Sequence, residues 1–489
     1  MSSVMLVNAD AGRIPLQDGV VHCSISSPPY FSLRQYTGDQ GRDWPAVSYA
    51  PMPGLPALAV PPMRCALGLE PDVASFIGHL VLCYREVWRV LRDDGVMWVV
   101  IGDAYGHGTT AERKEGGAKQ KTNVGANTNA RHGGEPGQLL AVPYRLLLAL
   151  QADNWIIRND CVWQKIAPMP ESVQGTRWQR HMVKVAKSER AQPGSAHYHS
   201  QDGINNPQGA RDGVNFKDHS SEYAPCPGCP ACAPHGGYVL RRGSWRHARS
   251  HETVIMATKG MGYWSDGEAV REKLANPNAA DGSRVFGGSN KNGANIEHGE
   301  RTTGRVYDNA PAGRNPRDVL TPRPESYPGQ HYATFPRSLT RPLILASCPA
   351  RCCSVCGAGW AAVVERVEMD NPPGYNGSTF TDGKTVAVHA NTGNGKRGVS
   401  QSTGYRPTCE HDAASVPGLV LDPFAGTGTV LVEARALGRR GVGCDLSFDY
   451  LHDQARARLE LDALDDWHEG NGMQAAETAD MGPLFGGLK

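Results

Sequence analysis

The sequence predicts an α/β fold on a mainly parallel sheet, and three observations predict it. Apolar residues recur at helical spacing between Asp72 and Val90 and lead into the strand-like run Val96 to Ile101. A helical run from Pro143 to Ala152 leads in the same way into Trp155 to Trp163. Near the C-terminus, Leu419 to Leu421 enters a glycine-rich turn, then a helix, then a further strand. Strand and helix alternating in this rhythm is the signature of parallel α/β architecture.

In chain order, the first strand is short, Val4 to Val7. The second runs from Val20 to Ser26 and stops at Ser27-Pro28-Pro29-Tyr30, because consecutive prolines cannot donate to a ladder. The first helix places Val73, Phe76, Ile77, Leu80, Val81, Tyr84, Val87 and Trp88 on one face, and Asp94-Gly95 turns the chain into the next strand. Residues 105–135 and 171–245 carry Gly, Asn, Gln, His and charges without apolar period and read as long loops. Thr253 to Thr258 returns to strand character, 275–330 is polar again, and Pro336 to Ser347 is helical. The chain closes with a helix at Thr429 to Leu437, a strand at Gly441 to Cys444 and a helix at Tyr450 to Leu464. No internal repeat is present.

The 489 residues include 57 glycines and 35 prolines, a share below that of low-complexity chains, and their number admits about three domains. The formal charge of +1 makes no global case for an anionic partner, yet residues 171–330 hold 21 Lys and Arg against 16 Asp and Glu. Two readings stand: the middle faces something anionic, or the surface charge fluctuates along the chain. No run approaches the roughly 18 apolar residues of a membrane span, and the first residues lack a signal peptide's charge and apolar stretch, so a cytoplasmic protein without a membrane partner is expected.

Of 13 cysteines, seven fall in two groups, Cys226, Cys229 and Cys232, then Cys348, Cys352, Cys353 and Cys356. The odd total and the two-residue spacings favour reduced thiols, some as metal ligands, over a disulfide scaffold. Cys353 and Cys356 with Cys409 and His411 suit tetrahedral zinc, and Cys226, Cys229 and Cys232 with His235 are a second candidate set. The other reading is buried or free thiols, with Cys348 and Cys352 as spare ligands.

Two motifs carry the chemistry. In Asp422-Pro423-Phe424-Ala425-Gly426-Thr427-Gly428-Thr429 the glycines let backbone N–H groups approach a ligand, and the following helix adds its dipole. Asp445 ends the next strand, where a carboxylate can accept from ribose hydroxyls. Leu431 replaces the third glycine of a pyrophosphate site, and Asp422 suits a cationic ligand better than phosphates. Ser27-Pro28-Pro29-Tyr30 offers a hydroxyl, a carbonyl freed from the sheet and an aromatic face, a set that can hold a planar base by its exocyclic amine. Each motif has a purely structural alternative, a tight turn in the first case and a strand-ending proline turn in the second.

Together the motifs resemble those of the amino-group DNA methyltransferases that use S-adenosylmethionine, and the order, catalytic motif before cofactor motif, is similar to their permuted beta class. Asn8-Ala9-Asp10, Ile101-Gly102-Asp103-Ala104-Tyr105, Trp163-Gln164-Lys165, Pro168 to Ser172, Ser250-His251-Glu252 and His331 to Leu339 resemble further segments of that family, with Tyr332 in place of a proline. The resemblance covers residues 1–170, 240–265 and 331–465. It implies a circularly permuted Rossmann-like sheet, an inserted loop-rich recognition region and a small zinc-ribbon-like insert. Ser27, Pro28, Pro29 and Tyr30 would be catalytic, and Asp10, Phe335, Asp422, Pro423, Phe424, Gly426, Gly428, Thr429 and Asp445 would bind the cofactor. Asp10 and Asp445 should then face one pocket.

The implied segments are a catalytic half at 1–170, a Cys/His insertion at 171–245, a return strand at 246–265 and a target-recognition region at 266–330. A cofactor-cover helix at 331–347, the zinc-ribbon-like insert at 348–415 and a cofactor-binding half at 416–489 complete the chain. Candidate DNA contacts are Arg271, Lys273, Arg284, Lys291, Arg301, Arg305, Arg314, Arg317 and Arg323, with Arg177, Arg180, Lys184, Lys187, Arg241 and Arg242 from the insertion. The expected activity is methyl transfer to a base flipped out of double-stranded DNA, at cytosine N4 on the strength of the leading serine, alongside a cognate restriction endonuclease. Adenine N6 is the alternative base. An inactive zinc-bearing nucleic-acid-binding protein and an RNA or small-molecule methyltransferase are the rival classes. A cytosine-C5 enzyme is disfavoured, since Pro225-Cys226 is followed by Pro227.

Overall fold

A computed structural model describes residues 4–31, 41–106, 137–166, 168, 175–186, 221–272, 314–323, 325, 335–370, 378–381, 384–387, 396–459 and 461. The chain divides into two compact units: Met1–Ile166 with His251–Lys489, and Ala167–Ser250.

The larger unit is organised by an eight-stranded sheet: β1 (Val4–Asn8), β2 (Val21–Ser26), β3 (Leu91–Ile101), β4 (Ile156–Gln164), β5 (His251–Thr258), β6 (Val319–Leu320), β7 (Leu419–Asp422) and β8 (Arg440–Asp445). Their spatial order is β1-β8-β7-β2-β3-β5-β4-β6. All neighbours pair in parallel except β5, which runs antiparallel to both β3 and β4. The two strands of this sheet that come last in sequence therefore sit between its first two, with Val4 beside Gly441 and Asn8 beside Asp445.

The pleat explains why these strands read as continuous apolar runs. Met97, Val99, Ile101, Leu419 and Leu421 enter one core, whereas Val96, Trp98, Val100 and Val420 enter the other, so both faces are covered. Helices α1 (Val73–Val90) and α2 (Val142–Ala152) pack on the first face, and α3 (Arg337–Ser347) and α4 (Thr429–Ala436) on the second. Asp72 caps α1, its carboxylate accepting from Ser75 N at 2.8 Å. Glu433 of α4 is buried and paired with Arg337 and Arg341 of α3 at 2.8 and 2.7 Å, which locks those two helices together.

The segment predicted as a small insert after α3 forms antiparallel ribbons: Cys352–Cys353 against Ser415–Val416, Ala361–Asp370 against Lys396–Arg406, and Ser378–Thr381 against Lys384–Ala387. In the smaller unit, residues expected to be loops form two further ribbons. Arg177–Arg180 pairs with Tyr238–Arg241, and Met182–Ala186 with Ser221–Pro225. Arg177 to Arg180 are exposed on both faces, so no alternation marks the strand in the sequence.

Candidate active site and cofactor cleft

β2, β7 and β8 end side by side, and their C-terminal ends open into a cleft, as expected for parallel sheets. It is lined by Asp10, Ser27, Pro29, Pro423, Phe424, Gly426 and Asp445 from the predicted motifs, so Asp10 and Asp445 do face one pocket. Arg42, Trp44, Leu446 and Tyr450 also line it, and none of them belongs to the predicted motifs.

The glycine turn is shaped by backbone need. Gly426 and Gly428 take φ of 49° and 73°, in the left-handed region open to glycine, and Gly428 caps α4. Ala425 N donates to Cys444 O at 2.8 Å, which ties the turn to β8. A Cβ on Gly443 would lie 2.8 Å from the Ala425 Cβ, so the strand beneath the turn must also be bare. Asp445 accepts from Gly426 N and Ser447 N at 2.8 Å each, one bond per carboxylate oxygen, leaving a second lone pair on each. Burial raises the Asp445 carboxyl above its ordinary value. Asp422 lies buried under the turn, accepting from Phe424 N at 3.1 Å, and burial pushes it up to about 8, with nearby Asp445 adding to the shift.

Gly428 and Thr429 thus build the turn without lining the cleft, and Arg458 donates to the Thr429 hydroxyl at 2.9 Å. Phe335 is placed differently from expectation: it packs half-buried against the core on the α3 and α4 face, not in the cleft wall. His331 to Thr334 lie outside the described residues.

Beside Asp445, where β1 ends next to β8, Asp10 accepts from Gly12 N at 2.7 Å and pairs with Arg42, whose guanidinium stacks 3.7 Å from the Trp44 ring. Trp44 is itself held: its Nε1 donates to Cys65 O at 3.0 Å, and its ring stacks on His79 at 4.0 Å. His79 is fully buried on Glu70 at 2.9 Å. A flat aromatic wall is thereby fixed in one orientation beside the carboxylates.

The tetrad leaves β2 beside this cleft. Pro28 is buried, while Ser27 and Pro29 reach the cleft. The Tyr30 ring lies against Gly102 at the end of β3, where a Cβ would come within 2.7 Å of it. Its hydroxyl donates to Glu252 Oε2 at 2.6 Å and receives a long 3.4 Å contact from Ser27 Oγ. Glu252, near the start of β5, is in turn ion-paired with Lys165 just past β4. Three adjacent strand ends thus converge on one tyrosine. Glu252 stands 222 positions from Tyr30, and no local pattern announces the pairing.

The metal-ligand expectations divide. Cys353, Cys356, Cys409 and His411 come together, their ligand atoms within 4.8 Å of one another. His235 does not join the other set: its ring packs on Trp178 at 4.7 Å, while His181 takes the place beside Cys226, Cys229 and Cys232. The short helical turn Ala233–His235, directly after Cys232, carries His235 away from the thiols. Among the candidate DNA contacts, Arg271 pairs with Glu268 and both Arg314 and Arg317 with Glu272. Lys273, Arg284, Lys291, Arg301, Arg305 and Lys187 lie outside the described residues, as does the side chain of Lys184. No helix among the described residues is long and apolar enough to cross a membrane.

Residues 21–351 and 412–456 match the N6/N4 DNA methylase family. The chain is 27% identical to the type II methyltransferase M.Cfr9I of Citrobacter freundii over 332 residues, 68% of each protein. It is 24% identical to M.SmaI of Serratia marcescens over 331 residues, 68% of this chain and 70% of that one. Among solved structures, the PvuII DNA methyltransferase (cytosine-N4-specific) aligns over 98% of this chain and 92% of its own with 12% identity and a TM-score of 0.39, a likeness that adds nothing to the argument. The match over most of the chain, with the tetrad and the glycine turn meeting at one cleft, shows that this protein belongs to the amino-group DNA methyltransferases of the N6/N4 DNA methylase family.

Proposed function

We propose that the chain methylates N4 of cytosine in double-stranded DNA, using S-adenosylmethionine held in the cleft of a circularly permuted Rossmann-like sheet. The observation that supports this most is the delivery of Ser27 and Pro29 into the same cleft as Asp10, Gly426 and Asp445. The cleft suits a nucleoside with a cationic tail: free carboxylate lone pairs on Asp445, a turn bare of side chain at Gly426, the aromatic Trp44, and acid groups in place of a phosphate cradle. When bound, S-adenosylmethionine supplies an electrophilic methyl on a sulfonium.

The chain's own residues do the positioning. The Ser27 hydroxyl and the Pro28 carbonyl accept hydrogen bonds from the two amine hydrogens. This draws the nitrogen out of conjugation and aims its lone pair into the cleft. Tyr30, braced by Gly102 and Glu252, offers the face against which a flipped base stacks, and extrusion of that base costs a few kcal/mol. Holding amine and methyl donor in line supplies most of the rate enhancement. Serine at the head of the tetrad favours cytosine. Adenine N6 is the second reading, because the same two acceptors fit either amine.

The permutation is supported by β7, the glycine turn and β8, which come last in the chain yet lie between β1 and β2. Cys353, Cys356, Cys409 and His411 offer three sulfurs and one nitrogen, a donor set that fits structural zinc. Residues 266–330 are proposed to read the target. The type II relatives favour a partner endonuclease. The test is to incubate the protein with S-adenosylmethionine and unmethylated duplex DNA and identify modified nucleosides by mass spectrometry. N4-methylcytosine is expected; N6-methyladenine alone would replace the base assignment, and no modified nucleoside would overturn the reading.

A further inference from the structure

We propose that His181, Cys226, Cys229 and Cys232 form a structural zinc site that holds the 167–250 unit together. Their ligand atoms lie within 4.8 Å of one another. Cys229 Sγ is 3.6 Å from Cys232 Sγ and 3.3 Å from His181 Nδ1. With zinc–sulfur bonds of about 2.3 Å and zinc–nitrogen bonds of about 2.0 Å, the edges of a tetrahedron come to roughly 3.7 Å between sulfurs and 3.5 Å between sulfur and nitrogen. The observed separations are those edges, so one ion fits without moving the side chains far. Three cysteines and one histidine are a zinc donor set, and the closed four-ligand arrangement leaves no position for a substrate.

The backbone is built to present these ligands. His181 sits at the joint between Arg177–Arg180 and Met182–Ala186, so it belongs to both ribbons of the unit. Its N–H donates to Gly237 O at 2.9 Å, and its carbonyl accepts from Cys226 N at 2.8 Å, which brings the cysteine loop against it. Cys232 N donates to Cys229 O at 3.0 Å, closing the turn between those two, and Gly228, Gly236 and Gly237 take positive φ around the loop. A metal here ties the start of one ribbon to the end of the other.

The unit needs such a tie. Among its residues with described side chains, Cys232 alone is buried, and Trp178, Tyr223, Tyr238, Leu240 and Trp245 are exposed. The described side chains of the two ribbons share no apolar core; ribbons of that kind are marginal in water, and small domains built from them replace the core with metal or disulfides. Metal binding and folding of the unit are then one equilibrium. The proposal does not rest on the methyltransferase reading, and it is separate from the Cys353 group, which lies in the other unit.

The full chain is tested as wild type, His181→Ala, Cys229→Ser and His235→Ala. Zinc released to the chromophoric chelator 4-(2-pyridylazo)resorcinol is counted, together with total zinc by mass spectrometry. The expected result is that His181→Ala and Cys229→Ser each give up one equivalent that wild type and His235→Ala retain, and are cut by trypsin faster within 167–250. Equal zinc retention in all four proteins, or loss in His235→Ala alone, would overturn the proposal. Cobalt-loaded His181→Cys guards against misfolding: it should keep the wild-type metal count and gain sulfur-to-cobalt charge-transfer intensity. An unchanged spectrum overturns the assignment of His181 as ligand.

Discussion

At the scale of single residues, Tyr30 shows how a short motif depends on distant partners. Its hydroxyl bonds to Glu252, which Lys165 holds, and its ring rests on Gly102. A hydrogen bond to a charged group contributes about 1.5–3 kcal/mol, so loosening it should cost roughly ten- to a hundredfold in methyl transfer. Glu252→Gln is predicted to lower kcat in that range while leaving S-adenosylmethionine affinity unchanged. Combined with Tyr30→Phe it should cost little more than either change alone, since both remove the same contact. A parallel loss of cofactor affinity would contradict this assignment. Asp422 makes a second case. Burial raises its carboxyl to about 8 in the folded chain, against 3.8 ordinarily, so between those pH values the folded state holds the proton and the unfolded state does not. Stability of the cofactor-free protein from this group is full below pH 4 and falls as pH rises toward 8. Asp422→Asn should therefore raise the thermal midpoint of the cofactor-free chain at pH 8, with the gain shrinking toward pH 5, as differential scanning fluorimetry can read. The tetrad and the glycine turn were legible in the sequence because their residues are adjacent. Arg42 and Trp44 were not, because contacts with Asp10 and His79 hold them at the cleft, and the part Glu252 plays depends on a sheet that brings it to Tyr30 from 222 positions away.

At the scale of elements, legibility followed burial. Helix α1 was expected from Asp72 to Val90 and runs Val73–Val90, and the strand expected at Thr253 to Thr258 is the core of β5, because each buries an apolar pattern of its own period. The ribbons at Arg177–Arg180 and Tyr238–Arg241 were read as loops, because solvent on both faces removes that pattern. One side chain joins three elements. His22 of β2 accepts from Leu419 N of β7 at 3.1 Å through Nδ1, and through Nε2 donates at 2.9 Å to Gly357 O in the turn that carries Cys353 and Cys356. This needs the neutral ring, and burial lowers its pKa to about 4. Its folded pKa lies below the unfolded 6.5, so the associated stability is present above pH 6.5 and is lost as pH falls toward 4, on the order of 3 kcal/mol in all. His22→Gln, which can still donate and accept, should flatten the fall in urea-denaturation stability over that window. An unchanged pH profile would remove His22 from the account.

For the whole molecule, near-zero net charge and abundant glycine and proline gave little direction by themselves. The α/β class followed from periodicity, but the order β1-β8-β7-β2 came from pairings such as Val4 with Gly441 and Cys23 with Val420, between opposite ends of the chain, which local patterns do not encode. That order brings Asp10, Ser27 and Trp44 from one end of the chain into a single cleft with Phe424, Asp445 and Tyr450 from the other. The most direct measurement of this claim is photo-crosslinking of radiolabelled S-adenosylmethionine to the full chain, followed by peptide mapping. Label is predicted in peptides from both residues 9–67 and residues 423–450, competed by unlabelled cofactor and lost together in Asp445→Ala. Specific label confined to peptides outside both segments would contradict the cleft as the cofactor site.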